Sequence, residues 1–120
     1  MNNGLFAALL VVVLSSIGFA ALAGGKSESD YQKEWCKGLQ EVTLQDRTRV
    51  DCLTDTHAIE IEFANKWKNS IGQSLHYALM TGKKAGIALI IRKESDKRYL
   101  AQLERVIGQY GLEIEVLEIR

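Results

Sequence analysis

The chain has no proline, only two cysteines and no excess of either charge, and each shortage removes a class of reading. With proline, internal repeats and low-complexity tracts all missing, nothing after Ser29 reads as disordered. Lysine and arginine total 15 against 15 aspartate and glutamate, which excludes a partner held by sheer positive charge. Any contact with a polyanion has to come from a local patch or a bridging metal. Cys36 and Cys52 fit no CxxC spacing and have no histidine pair nearby, so a zinc site is excluded. They read either as one disulfide in an oxidising compartment or as two small buried apolar residues.

Residues 1–23 carry no charge at all. An apolar run from Leu5 to Leu14 and the small-x-small end Ala21-Leu22-Ala23 give the pattern of an export signal cut after Ala23, although the n-region Met-Asn-Asn has no Lys or Arg. The alternative is an uncleaved membrane anchor over residues 5–23. No cysteine stands near Ala23, so lipid attachment there is excluded. The expected location is periplasmic or secreted, or membrane-anchored through this segment alone. The remainder of the chain, residues 24–120, is large enough for one domain and too small for two.

Residues 24–29 read as a polar linker and residues 30–120 as the folded domain. A helix capped by Ser29 or Asp30 runs through Lys37, with Tyr31, Trp35 and Cys36 on the packed side, and Gly38 ends it. Alternation then gives strands over residues 39–44, 49–53 and 58–63, separated by turn residues. From Lys66 the period becomes helical, with Trp67, Ile71, Leu75 and Ala78 as the apolar stripe and Gly82 as the stop. A continuous apolar run, residues 87–91, reads as a strand covered on both faces. A helix from about Ser95 to Gly108–Gly111 and a strand over residues 112–119 complete the chain. The fold class is therefore α/β, a mixed sheet in α-β-β-β-α-β-α-β order.

Chemistry concentrates between Arg49 and Tyr77. Period-2 alternation puts Glu60 and Glu62 on one strand face, away from Ile59, Ile61 and Phe63. A hairpin through Thr54-Asp55-Thr56 brings Asp51 beside Glu60, so three carboxylates share a small volume. At about 100° per residue, Lys66, Ser70, Gln73 and Tyr77 form a strip apart from the apolar stripe and look into the same space. The bland rival is that Glu60 and Glu62 are simply a solvated strand face. His57, His76, Glu113, Glu115 and Glu118 read as surface residues, and Lys83-Lys84 and Arg92-Lys93 as loop charges or a phosphate-contacting patch. The paired acids of a glycosidase fit poorly, since nothing in the chain supplies a long sugar cleft.

Asp51, then Glu60-Ile61-Glu62, then a helix bearing Gln73-Ser74-Leu75-His76-Tyr77, resembles the PD-(D/E)xK nuclease superfamily, and the QxxxY element resembles its RecB-type members. The resemblance spans Trp35 to Ile91. It implies a restriction-endonuclease-like core and phosphodiester hydrolysis assisted by Mg2+ or Mn2+, with no organic cofactor. Asp51, Glu60 and Glu62 would hold the metal, Lys66 would stabilise developing charge, and Gln73 and Tyr77 would position the site or contact the substrate backbone. Glu34 on the first helix would add a further acid. The implied partner is nucleic acid, DNA ahead of RNA, and a homodimer stays open. Two departures stand out: Val50 replaces the motif proline, and Glu62 stands where the motif has lysine. A catalytically decayed, exported binding or structural module is therefore the alternative.

Overall fold

A computed structural model describes residues 24–120, and the export-signal and anchor readings fall outside them. Helix α1, Glu28–Trp35, starts earlier than the linker boundary at residue 29 and the caps at Ser29 or Asp30 require. Ser27 is the cap. Its hydroxyl accepts from the Asp30 N–H at 3.1 Å while Asp30 accepts from the Ser27 N–H at 2.9 Å, a reciprocal box that satisfies two otherwise orphaned donors. The helix ends at Trp35, and Gly38 serves another purpose: a Cβ there would meet the Leu53 carbonyl oxygen at 2.2 Å. Only glycine lets the chain pass so close to the second strand.

Strands β1 (Leu39–Thr43), β2 (Arg49–Leu53) and β3 (His57–Phe63) come next. After a short 3₁₀ turn come helix α2 (Trp67–Thr81), β4 (Lys84–Ile90), a second turn, helix α3 (Lys97–Tyr110) and β5 (Ile114–Ile119). The five strands lie in sequence order, β1 to β3 antiparallel and β3 to β5 parallel. β4 begins three residues before the apolar run suggests, because Lys84, Ala85 and Gly86 pair in register with His57, Ala58 and Ile59. Gly86 tolerates Ile59 at 3.0 Å from where a Cβ would stand.

Helices cover both faces of the sheet. On one, Trp67 of α2 and Leu103 of α3 pack on Ala85, Ile87, Leu89 and Ile114. On the other, Tyr31 and Trp35 of α1 pack over Ile59, Ile61, Ala88 and Ile90. Each fully buried Ile or Leu contributes roughly 1.5–3 kcal/mol of transfer free energy, which anchors the central strands. Trp67 Nε1 donates to Gln102 Oε1 at 3.0 Å and locks α2 to α3. Cys36 and Cys52 are bonded, with Cα atoms 5.8 Å apart, tying the end of α1 to β2. Among the described residues no helix is long and apolar enough to cross a membrane.

Candidate active site

β3 is the middle strand, so neither of its faces is wet. Register places Glu60 beside Ile87 and Glu62 beside Leu89, on the face that α2 and α3 cover. Glu60 is 4% exposed and Glu62 7%, which rules out the solvated-face reading of these acids. Alternation told the two faces apart but not which one helices would close. α2 sits on this face through Trp67, Ser70, Ser74 and Tyr77, all buried, while Ile71, Leu75 and Ala78 are only partly buried. The contact stripe is thus rotated from the expected one. Ser70 and Ser74 are small and return their hydroxyls to the Trp67 and Ile71 carbonyls, at 2.5 and 3.0 Å, so the helix approaches the acids without bringing them a donor.

Asp51 faces Glu60 as the hairpin requires. The β2–β3 ladder covers Cys52 with Ile59 and Leu53 with Ala58, and there it stops. Past that point the carboxylate of Asp51 takes the Ile61 N–H at 2.8 Å in place of a backbone carbonyl. Facing Asp51 across β1, Glu41 adopts φ 53°, a left-handed conformation rare outside glycine. Glu41 is held there by Gln32 Nε2 at 3.2 Å and by Arg49 Nε at 3.0 Å. Gln32, on α1, is itself 4% exposed.

Burial dominates the electrostatics. It raises the Glu60 carboxyl far above the carboxylate range, and the charge and hydrogen bond of Asp51 raise it further. Asp51 is lifted to about 6, again mainly by burial, with the Ile61 N–H and Glu60 pulling the other way. The low-dielectric setting beside Asp51 thus favours the protonated form of Glu60. Its Oε2 is buried and has no hydrogen-bond partner, an uncompensated polar atom in a low-dielectric site. Tyr77 lies near enough that burial, then the charges of Glu60 and Asp51, push its phenol up to about 12. The Tyr77 hydroxyl donates to Gln73 Oε1 at 3.3 Å, and Gln73 Nε2 donates to the Asn69 carbonyl.

A second acid pair adjoins the first. Glu62 Oε1 accepts the Phe63 N–H at 3.1 Å, and Glu28 of α1 comes within hydrogen-bonding reach of Glu62. Burial first, then the hydrogen bond and charge of Glu62, raise Glu28 to about 7, while Lys66 and the Phe63 N–H work in the opposite sense. Lys66 is exposed and stands by this pair. The helix acid near the cluster is therefore Glu28, whereas Glu34 points away and pairs with Lys26 at 2.5 Å. Reading residues 24–29 as linker hid Glu28, and the Ser27-x-x-Asp30 capping spacing was the signal that could have found it.

Among the described residues no group of three His, Cys, Asp or Glu side chains is placed to hold a metal ion. The carboxylates make two neighbouring pairs, Asp51 with Glu60 and Glu28 with Glu62. As a donor set they suit a hard divalent cation: all are oxygen ligands, and the bare Glu60 Oε2 and the raised proton affinities would be relieved by positive charge. His57 and His76 lie elsewhere, paired with Glu115 and Asp46 at 2.5 Å each. Comparison with known proteins gives no match, whether to family models, curated proteins or solved structures.

Proposed function

We propose that the protein is an exported, metal-dependent nuclease of the PD-(D/E)xK type with a restriction-endonuclease-like core. The observation carrying this reading is the half-buried Asp51 set against the buried Glu60 with its unpartnered Oε2, beneath the helix that bears Gln73 and Tyr77. Burying such a pair costs stability unless something compensates it, and a hard cation does so. Mg2+ or Mn2+, when bound, lowers the pKa of a water and neutralises charge on the scissile phosphate. Asp51, Glu60 and Glu62 would hold the ion, with Glu28 beside them. Glu60 has to give up its proton first, so metal affinity rises with pH. Tyr77 and Gln73, bonded to each other rather than to the acids, would meet the substrate backbone from the helix, and Lys66 would offer its ammonium to the phosphate. The leader and the Cys36–Cys52 bond support a periplasmic or secreted location. DNA is the preferred substrate over RNA.

One observation favours a second reading, a decayed module acting as a binding or structural protein. Glu62 occupies the motif lysine's place, and Lys66 stands by Glu28 rather than by the Asp51–Glu60 pair. The test is cleavage of single- and double-stranded DNA and RNA by the exported protein in Mg2+, Mn2+ or EDTA, with Glu60→Ala and Lys66→Ala alongside. Metal-dependent cleavage lost in Glu60→Ala supports the nuclease; equal behaviour of wild type and variant rejects it.

A further inference from the structure

Phe63 joins the acid cluster to a feature that the catalytic reading leaves unused. Its N–H serves Glu62, while its ring carries the guanidinium of Arg92, whose Cζ stands 4.2 Å over the centroid. Tyr31 meets the same ring edge-on at 6.1 Å, fixing the ring from the side. Asn65 Oδ1 accepts from Arg92 Nη2 at 3.5 Å. Arg92 is exposed, so the side of the guanidinium turned away from Phe63 faces solvent.

The position suits a ligand. β3 and β4 are parallel and end side by side at Phe63 and Ile90, and Arg92 comes just after. Lys66 lies at the same end, one turn after Phe63. Neither Lys66 nor Arg92 forms an ion pair within 4.0 Å among the described residues, although the chain as a whole is neutral. Lys83 and Lys84 sit at the opposite end of β4, where Lys83 Nζ is taken up by the Thr54 carbonyl.

We infer that the Arg92 guanidinium, seated on Phe63, is a stacking platform for an unpaired base of a single-stranded polynucleotide whose phosphate is drawn by Lys66. This rests on the nuclease reading for the choice of ligand and deepens it by naming the substrate class. A guanidinium plane stacks bases of any sequence, and a duplex hides the base faces that such a platform needs. Lys66, which stands by Glu28 and Glu62, and Arg92 attract one short stretch of backbone without the wide basic field that duplex binders use.

The test is fluorescence anisotropy of the full chain in EDTA, with labelled 12-mers of thymidylate, uridylate, an abasic phosphodiester and duplex DNA. Wild type binds the base-bearing single strands at least tenfold more tightly than the abasic strand or the duplex. Arg92→Ala loses about tenfold on the base-bearing strands, the size of one stacked base. Arg92→Lys, which keeps the charge but not the plane, loses nearly as much on them and little on the abasic strand. Phe63→Leu, which removes the seat, gives the same selective loss. Preference for duplex, or Arg92→Lys behaving as wild type, overturns the inference. Deoxy and ribo arms that differ assign the sugar preference. Cleavage is measured separately with Glu60→Gln: if that variant cleaves normally the nuclease reading fails while the binding result stands, and the reverse outcome removes the platform alone.

Discussion

The carboxylate of Asp51 accepts the backbone N–H of Ile61 at 2.8 Å at the place where the β2–β3 ladder ends. A side chain thus replaces a strand carbonyl, and the same side chain confronts Glu60. The fold is bound to a concentration of buried acid, and its consequences are measurable.

Stability should fall as pH rises from about 4 to 8. Asp51, Glu28 and Glu60 all have folded pKa values raised above their unfolded ones, to about 6, about 7 and higher still. Between the unfolded and folded values the native state binds more protons than the unfolded chain, so ΔG of unfolding decreases with pH. The full contribution is present below about pH 4 and is lost as pH climbs through the folded values. Calorimetry should give a Tm at pH 8 below that at pH 5 by more than about 4 °C, a shift worth roughly 1 kcal/mol in a domain this size. A flat profile over this range would sink the electrostatic account.

Glu60→Gln keeps the shape and cannot ionise. Its Tm at pH 8 should exceed that of wild type, and most of the pH dependence should disappear. Cleavage should be abolished as well. A stabilised but inactive variant separates the acid's chemical role from its packing role.

Millimolar Mg2+ or Mn2+ should raise the wild-type Tm at pH 8 by several degrees, less at pH 5, and not at all in Glu60→Gln. Ligand binding to the native state alone stabilises by mass action, and protons compete with the ion for the same oxygens. Equal shifts in wild type and variant would place the ion elsewhere.

These outcomes depend on features that the residue pattern exposed unevenly. The β2 bounds, the α2 stop at Gly82 and the α/β class were legible because alternation, helical period and glycine each have one local cause. The facing of Asp51 and Glu60 came from hairpin geometry. Burial of Glu60 and Glu62 did not, since a strand's period says nothing about which helix lands on it. Ser70 and Ser74, polar by letter, are fully buried where α2 meets the sheet. Glu28 and Gln32 were hidden because their role depends on where α1 docks, over strands later in the chain.

Removing the disulfide by Cys36→Ser with Cys52→Ser should cost about 3 kcal/mol, the chain-entropy scale for a loop spanning 16 residues. Denaturant unfolding of the double variant measures it. A loss under about 1 kcal/mol would show that noncovalent packing of Tyr31 and Trp35 suffices to dock α1.

Gly38→Ala should destabilise by at least about 2 kcal/mol, since the new methyl would overlap the Leu53 carbonyl oxygen. Gly108→Ala, in an open helical position with nothing within 4 Å, should be neutral or slightly stabilising. The same denaturation curves compare the two glycines directly.

Helix α1 has only eight residues, too few to persist alone. It is moored at its start by Glu28 against Glu62, midway by Gln32 against Glu41, and just past its end by Cys36 on Cys52. Cys52 is also the chain neighbour of Asp51. A protease nick or sequence change that slackens any of these moorings therefore reaches the acids without altering one of them, so variation in this short segment acts on the stability of the domain and on the setting of its carboxylates together.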